Sequence, residues 1–234
     1  MNGVALADRA AYLEAERVLV VADLHVGRRE SSRISLPLGE REDLRERLAS
    51  LVGRFEPETV VVAGDVIHTF DRLDERSRRT LDRLVDTCRE ANARLELVAG
   101  NHDAVLSTAW DGPVHDEYVV DGEGTPRTVI CHGHESPRRH GDRYVFGHVH
   151  PTIEIEGDRH PCFLYAESGF RDGDVLCLPA FTRLAPGVVV STMTTDEFAT
   201  PLISEVDRME PIVVDPGGDD PLRFPPLGAF RSLL

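Results

Sequence analysis

The stretch VVADLHVG, residues 20–27, is an apolar run that ends abruptly in a carboxylate and an imidazole. Its β-branched and small residues predict a buried strand over residues 17–22. Asp23 and His25 are two positions apart, so both side chains would point the same way on an extended chain. The pattern therefore predicts that polar groups gather at the carboxyl end of this strand.

The same ending follows four further apolar runs in the chain. Each run leads into residue types that bind metals or exchange protons: TVVVA into Gly64, Asp65 and His68; LELVA into Gly100, Asn101, His102 and Asp103; TVIC into His132 and His134; and YVF into Gly147, His148 and His150. Ligands of open α/β sheets bind beyond the carboxyl ends of the strands. If these strands are neighbours, the five groups converge, and the glycines before Asp65, Asn101 and His148 are expected to allow sharp turns.

The order of predicted elements indicates the fold class. Helices are predicted over residues 40–53 and 74–91, and strands over 11–14, 59–63 and 95–99. The second half contains mainly short predicted strands, at residues 117–120, 127–131, 143–146, 163–166, 175–178 and 188–192. Together these elements predict an α/β domain over residues 1–214 with a mixed sheet large enough to form a two-sheet sandwich. Residues 215–234, rich in Pro, Gly and Asp at their start, are expected to be a linker and a short tail.

Composition indicates a globular protein. The 234 residues are 41% hydrophobic and 29% charged. Apolar runs reach only about five residues, whereas a membrane-spanning helix needs about 20. The N-terminus lacks a basic-then-apolar signal pattern, so we expect a cytoplasmic protein without a membrane partner. The four cysteines show no Cys-x-x-Cys spacing, which predicts reduced, buried thiols.

The charge balance is strongly acidic. The formal net charge is −15, and all 26 basic residues are arginine. This composition predicts adaptation to high intracellular salt, with arginine bias from a GC-rich genome as the alternative. Net negative charge argues against binding nucleic acid at low salt. In molar salt, however, the Debye length shrinks to about 3 Å, so only charge close to the site would matter.

The strand-end residues have the chemistry of a metal centre. Asp, Asn and His without Cys favour divalent ions of intermediate hardness, with Mn²⁺ preferred and Fe²⁺, Zn²⁺ or Co²⁺ as alternatives. The ligands are too many for one ion with an open position. Two ions about 3.5–4 Å apart, bridged by a carboxylate, could hold a hydroxide and clamp a phosphate for in-line attack. An isolated Asp-x-His is more often a capped turn, but seven of the ten histidines fall in these groups.

All five motifs occur in order over residues 23–150, and in this the sequence resembles the calcineurin-like metallophosphoesterases. The segments ADLHVGRRE, HGHESP and LPAF are similar to those of the small archaeal SbcD-related and the DNA-ligase-associated phosphoesterases. The resemblance implies a four-layer α/β/β/α sandwich of two mixed sheets flanked by helices. It also implies one metal held by Asp23, His25 and His150, a second held by Asn101, His132 and His148, and Asp65 bridging both.

The resemblance also implies roles around the metals. His102 would be the catalytic histidine, and His68 would orient His102 or the phosphate. Asp103 would fix a ligand imidazole through its second ring nitrogen. Apart from the resemblance, the residues expected to contact the substrate are Arg28, Arg29 and His134, together with Arg33 from the same loop. A solvated loop is the open alternative for these three arginines, and Arg138 and Arg139 are a weaker candidate pair.

Three functional hypotheses follow. The favoured one is a dinuclear-metal phosphodiesterase that cuts nucleic acid, connected with DNA repair. The alternative is a phosphatase or phosphodiesterase for small nucleotides or other small phosphoesters. A non-enzymatic interaction module is disfavoured because the ligand set is complete. A homo-oligomer and a repair-protein partner both stay open at this point.

Overall fold

The computed structural model describes residues 1–28, 39–68, 73–215 and 220–231. Arg29 and Arg33, two of the predicted phosphate contacts, lie outside the described residues. Within the described ranges the chain forms two mixed β-sheets that pack against each other, and the outer face of each sheet is covered by helical segments.

The first sheet has six strands in chain order. The hairpin strands are antiparallel and the rest are parallel: β1 (Val4–Ala7), β2 (Ala10–Leu13), β3 (Val18–Val21), β4 (Thr59–Ala63), β5 (Arg94–Val98) and β6 (Val114–His115). Two long helices, α1 (Glu40–Phe55) and α2 (Glu75–Glu90), pack on its outer face, and a short helix, α3 (Leu106–Ala109), follows β5. Asp74 caps α2 by accepting hydrogen bonds from the amides of Arg76 and Ser77.

The second sheet has nine strands. Its path in space is β13-β10-β11-β12-β9-β8-β7, and β14 pairs with β11 and with β15. The strands are β7 (Tyr118–Val120), β8 (Thr128–Cys131), β9 (Arg143–Phe146), β10 (Pro151–Ile155), β11 (Asp158–Phe170), β12 (Gly173–Cys177), β13 (Val188–Val189), β14 (Glu210–Val213) and β15 (Leu222–Arg223).

The apolar pattern explains the layering. Val20 and Val61 point into the space between the sheets, where they meet Ile130 and Val145 of the second sheet. Their neighbours on β3 and β4 point the other way, toward α1 and α2. Strands buried on both faces must be almost entirely apolar, as β3 is throughout and β4 is after Thr59.

The predicted four-layer sandwich is confirmed, with one difference in its outermost layer. The second sheet is covered by 3₁₀ turns and one short helix instead of long helices: Val190–Thr192, Thr195–Glu197, Val206–Arg208 and α4 (Leu227–Phe230). Among the described residues, no helix is long and apolar enough to cross a membrane. The domain boundary at residue 214 stays a prediction, although Leu227 and Phe230 beyond it are buried against the second sheet.

Candidate metal centre

All five strand endings meet at one edge of the sandwich. β3, β4 and β5 are parallel neighbours in the first sheet, so their carboxyl ends lie side by side. β8 and β9 are parallel neighbours in the second sheet. Because the sheets pack face to face, the residues that follow these five strands converge on a small buried volume.

The backbone at this edge is strained. Five site residues have a left-handed φ: Asp23 (54°), His25 (44°), Asp65 (44°), His148 (69°) and His150 (52°). The expectation that Asp23 and His25 share a face on an extended chain is therefore wrong, since the chain turns at both residues. Left-handed non-glycine residues cost roughly 1–3 kcal/mol each and concentrate at functional sites.

The three strand-end glycines act in two ways. Gly64 has a φ of 81° and makes the expected sharp turn. Gly100 and Gly147 do not have a positive φ, so for them that expectation is wrong. Instead they leave space: a Cβ on Gly100 would lie 2.3 Å from Asp65 Oδ1, and one on Gly147 would lie 2.3 Å from Asp23 Oδ2.

Asp23, His25 and His150 form what we call the first ligand group. His150 Nε2 lies 3.4 Å from Asp23 Oδ1 and 3.3 Å from His25 Nε2. Possible ligand atoms of the three residues all lie within 4.8 Å of one another. Asp23 is fully buried, and its Oδ1 has no hydrogen-bond partner among the described residues. An unsatisfied buried carboxylate oxygen is costly, and a cation would satisfy it.

Asn101, His132 and His148 form the second ligand group. His132 Nε2 lies 3.0 Å from Asn101 Oδ1 and 3.1 Å from His148 Nδ1. His132 is buried, His148 is half-buried and Asn101 is exposed. One amide oxygen and two imidazole nitrogens therefore lie close together at a partly solvent-exposed position.

Asp65 lies between the two groups. Its Oδ1 is 3.4 Å from His132 Nε2, and its Oδ2 is 3.6 Å from His25 Nε2. Burial, followed by the nearby Asp23 carboxylate, raises the pKa of Asp65 to about 7. A carboxylate whose two oxygens face different ligand groups can bridge two cations, and cations would in turn stabilise its charged form.

Three of the four histidines in the ligand groups are held neutral, the form that binds metal. Burial lowers the pKa of His25 to about 3 and that of His132 to about 4, and it also lowers the pKa of His148. His150 differs: burial opposes its charge, but the Asp23 carboxylate raises its pKa overall. Burial likewise opposes the charge of Asp23, yet the surrounding His150, His132 and His25 lower its pKa.

His102 and His68 lie beside the first ligand group. Their rings are stacked with centroids 6.0 Å apart, and His102 Nε2 lies 3.8 Å from Asp65 Oδ2. Ligand atoms of His25, His68 and His102 also lie within 4.8 Å of one another. The expected catalytic pair therefore lies next to Asp65, and both of its histidines lie close to His25.

Asp103 does not orient a ligand imidazole as expected. Its carboxylate accepts hydrogen bonds from the amides of Val66, Ile67 and Gly100, at 3.0, 3.0 and 2.8 Å. These hydrogen bonds connect the turn after β4 to the turn after β5, and they fix the backbone that follows Asp65. The sequence pattern shows an acidic residue beside His102 but cannot show that its partners are backbone amides.

The predicted substrate contacts lie on different sides of the centre. Arg28 is half-buried beside the first ligand group, where its charge contributes to the lowered pKa values of His25 and His68. His134 is exposed, with its ring 5.2 Å from that of His132. It lines a pocket of about 190 Å³ that also includes Asp116, Glu117 and Arg138. The exposed Arg138 pairs with Asp116 at 3.4 Å.

The residues present suit two divalent ions. The donors are carboxylate and amide oxygens together with neutral imidazoles, the set that Mn²⁺, Fe²⁺, Zn²⁺ and Co²⁺ accept. They lie in two groups around one shared carboxylate, and the first group contains a buried oxygen that no described residue satisfies. This agreement rests on the donor chemistry and does not distinguish among the four metals.

One contribution to the site lay outside the sequence prediction. Residues 178–182 follow β12 and cross from the second sheet to the first. The amides of Phe181 and Thr182 donate to the carbonyls of Ala22 and Asp23, at 2.7 and 3.3 Å. Phe181, expected to be core or rim, is buried. The LPAF segment therefore supports the strained turn at Asp23 through its backbone.

Comparison with known proteins identifies one family and many similar solved structures. The model of the family "Calcineurin-like phosphoesterase" matches residues 16–159, more than half of the chain. The crystal structure of Pseudomonas putida nuclease MPE is 26% identical, with 89% of this chain and 90% of that chain covered and a TM-score of 0.59. Yfce, a phosphoesterase from E. coli, is 19% identical, with 73% and 83% covered and a TM-score of 0.45. No curated protein matches.

Proposed function

The chain belongs to the calcineurin-like phosphoesterase family, and from this premise we propose that it is a dinuclear-metal phosphodiesterase that cuts nucleic acid. Membership makes it a metal-dependent phosphoesterase. The nucleic-acid substrate, the residue roles and the mechanism are the proposal.

The observation that carries the proposal is the position of Asp65. Its two carboxylate oxygens face different ligand groups, with His132 on one side and His25 on the other. A pair of divalent ions at such a site neutralises the charge of a phosphate diester and lowers the pKa of water. Asp65 would then be the ligand common to both ions, while the first and second ligand groups would each hold one ion.

His102 is assigned the proton transfer. It is half-buried, so it can reach both the centre and a bound ester, and it lies beside Asp65 Oδ2. A histidine in this position can donate a proton to the leaving oxygen as the ester bond breaks. His68, stacked parallel to His102, restricts the orientation of that ring.

Two observations favour nucleic acid. The similar Pseudomonas putida protein is a nuclease, and the similarity extends over about nine tenths of both chains. The pocket beside His134 has about 190 Å³, whereas pockets that enclose whole small ligands usually have about 300–1,000 Å³. A substrate larger than this pocket would extend over the surface next to Arg28.

A second candidate substrate class is the small phosphoesters. The pocket beside His134 contains the carboxyl groups of Asp116, Glu117 and Glu135, which would repel the phosphates of a polymer passing over them. The formal net charge of −15 acts in the same direction at low salt. A small nucleotide with one phosphate at the metals would avoid this repulsion.

A substrate panel separates the two classes. The metal-free protein is loaded with Mn²⁺ in molar KCl and offered single-stranded DNA, duplex DNA, RNA, cyclic nucleotides and bis-p-nitrophenyl phosphate. We expect cleavage of at least one polymer with kcat/KM well above that for the cyclic nucleotides. The Asp65→Asn variant is the control for contaminating nucleases. Cleavage of the cyclic nucleotides alone would establish the small-molecule class instead.

A further inference from the structure

We propose that Arg9 and Arg47 are positioning residues for the metal centre, acting through the segment 178–182. This inference rests on the proposed function, because it concerns how tightly the first ligand group holds its ion. The two arginines contact neither the metal ligands nor the expected substrate. They hold a piece of backbone that in turn holds Asp23.

The first observation is a chain of hydrogen bonds that ends at Asp23. The amides of Phe181 and Thr182 donate to the carbonyls of Ala22 and Asp23. The carbonyls of this same segment are bound by the two arginines. Arg9 Nη1 donates to Ala180 O at 3.0 Å and to Thr182 O at 2.8 Å, and Arg47 Nη1 donates to Phe181 O at 2.5 Å.

The second observation is that Arg47 is fixed from several directions. It is only 7% exposed, and its guanidinium lies 4.1 Å from the centroid of the Phe181 ring. Its Nε and Nη2 donate to the two carboxylate oxygens of Asp8 at 2.7 and 3.0 Å, and Asp43 lies 3.5 Å away. A planar guanidinium held in a bidentate pair can fix a backbone carbonyl, whereas an ammonium group cannot reproduce this geometry.

The third observation is the turn that supplies Asp8 and Arg9. These residues form the two-residue turn between β1 and β2, and both have a left-handed φ, 35° and 65°. Such turns favour Asn-Gly, because glycine adopts this conformation without strain. Here both positions carry charged side chains. Arg9 binds carbonyls of residues 180–182 directly, whereas Asp8 binds Arg47, which in turn binds the carbonyl of Phe181. The energetic cost of the strained turn is therefore offset by contacts that support the edge of the sandwich where the ligand groups lie.

Together these contacts form what we call the arginine clamp: Asp8, Arg9 and Arg47 holding residues 180–182. The clamp connects the β1–β2 turn and α1 to the segment 178–182, which follows β12 of the second sheet and binds the backbone of Ala22 and Asp23 after β3 of the first sheet. Asp23 needs this support because it is buried with a left-handed φ of 54°. Loosening the clamp would let Asp23 relax away from His25 and His150, which would weaken metal binding without removing any ligand.

The test measures Mn²⁺ affinity and stoichiometry by calorimetry on metal-free protein, for wild type, Arg47→Lys and Arg9→Lys. We expect the dissociation constant of one of the two ions to rise by about 10–100-fold, the usual effect of losing a group that orients a metal ligand. Hydrogen exchange of the Phe181 and Thr182 amides should become faster. Asp8→Asn, which keeps the shape of the pair but removes its charge, should act in the same direction and serves if either lysine variant fails to fold.

The matched control is Arg143→Lys. Arg143 is also buried, 4% exposed, and donates to a backbone carbonyl, that of Asn2 at 2.8 Å. It lies at the start of β9, the end of the strand away from His148. Its replacement should lower thermal stability without changing Mn²⁺ affinity. Clamp variants that lose stability like this control but bind Mn²⁺ within about twofold of wild type would overturn the inference. If wild type itself bound none of Mn²⁺, Fe²⁺, Zn²⁺ and Co²⁺, the proposed function would fail instead.

Discussion

The two ligand groups on either side of Asp65 are built differently. The first group is the more enclosed: Asp23 and His25 are buried, His150 is half-buried, and amides of the 178–182 segment hold the backbone at Asp23. The second group opens outward, because Asn101 is exposed and His132 borders the pocket beside His134. The difference indicates that the first group depends more on the fold for its geometry, whereas the second group is more open to solvent.

The largest effect is expected at the residue that the two groups share. Asp65→Asn keeps the size of the side chain but removes the charge that holds two cations close together. We expect measurable hydrolysis to be lost and the number of bound metals to fall, as counted by elemental analysis beside a rate assay. Retention of both metals with turnover near that of wild type would refute the two-metal assignment.

The next effect concerns a histidine beside the first group that is assigned no ligand role. His102→Ala should leave both metals bound and reduce turnover by about 10²–10⁴-fold, the range for loss of general acid catalysis. Metal content and turnover are measured on the same preparation, with His68→Ala as a comparison expected to lose less. Because His102 lies close to His25 and His68, loss of one metal from His102→Ala would make His102 a ligand and reverse the assignment.

A third prediction tests the close packing around Asp23 in the first group. Gly147→Ala introduces a Cβ 2.3 Å from Asp23 Oδ2 and 2.6 Å from the Ala22 side chain, so it should disturb the first group. We expect the affinity for one Mn²⁺ to fall by roughly tenfold or more, as for other changes that misorient a ligand. Gly53→Ala is the control: it lies in α1 with open space around it and should raise stability by about 0.5–1 kcal/mol. Equal Mn²⁺ affinity in both variants would show that the first group tolerates displacement.

The last prediction concerns an effect on one substrate class only and tests which side of the centre binds a polymer. Arg28 lies beside the first group and Arg138 beside the second. A charge-assisted contact to a phosphate is worth about 1.5–3 kcal/mol. Arg28→Ala should therefore reduce kcat/KM for an oligonucleotide by roughly 10–100-fold while sparing bis-p-nitrophenyl phosphate, which offers one phosphate only. A greater loss in Arg138→Ala would place the polymer on the other side, and equal losses on both substrates would assign Arg28 to the metal site.

Much of the fold follows from local pattern. The apolar runs before the five motifs predict β3, β4, β5, β8 and β9 within one or two residues, and the periodicity predicts α1 and α2. Other strands were not predicted: β1, β6, β10, β14 and β15. Glu154 in β10 is exposed, and β6 and β15 have only two residues each. Such short or half-exposed segments become strands because a neighbour pairs with them, which a single sequence does not reveal.

The candidate site divides in a similar way. Residue types and their order predicted which side chains converge, and the seven expected ligands do lie at one edge. The roles assigned to them stay a prediction. The conformation at Asp23 and His25, the function of Gly100 and Gly147, and the partners of Asp103 were predicted wrongly. Each of these depends on close approach by another part of the chain.

The sequence by itself determined the chemistry of this protein: apolar strands, each followed by carboxylates, amides or imidazoles, because strand pattern and ligand type are properties of neighbouring residues. Only the tertiary structure decided how that chemistry is held. Asp103 accepts a hydrogen bond from the amide of Val66, 37 positions away, and Arg47 donates one to the carbonyl of Phe181, 134 positions away. Any residue type can supply a backbone amide or carbonyl, so the sequence does not reveal which residue is the partner in such a hydrogen bond. These partners are brought together only when the chain has folded.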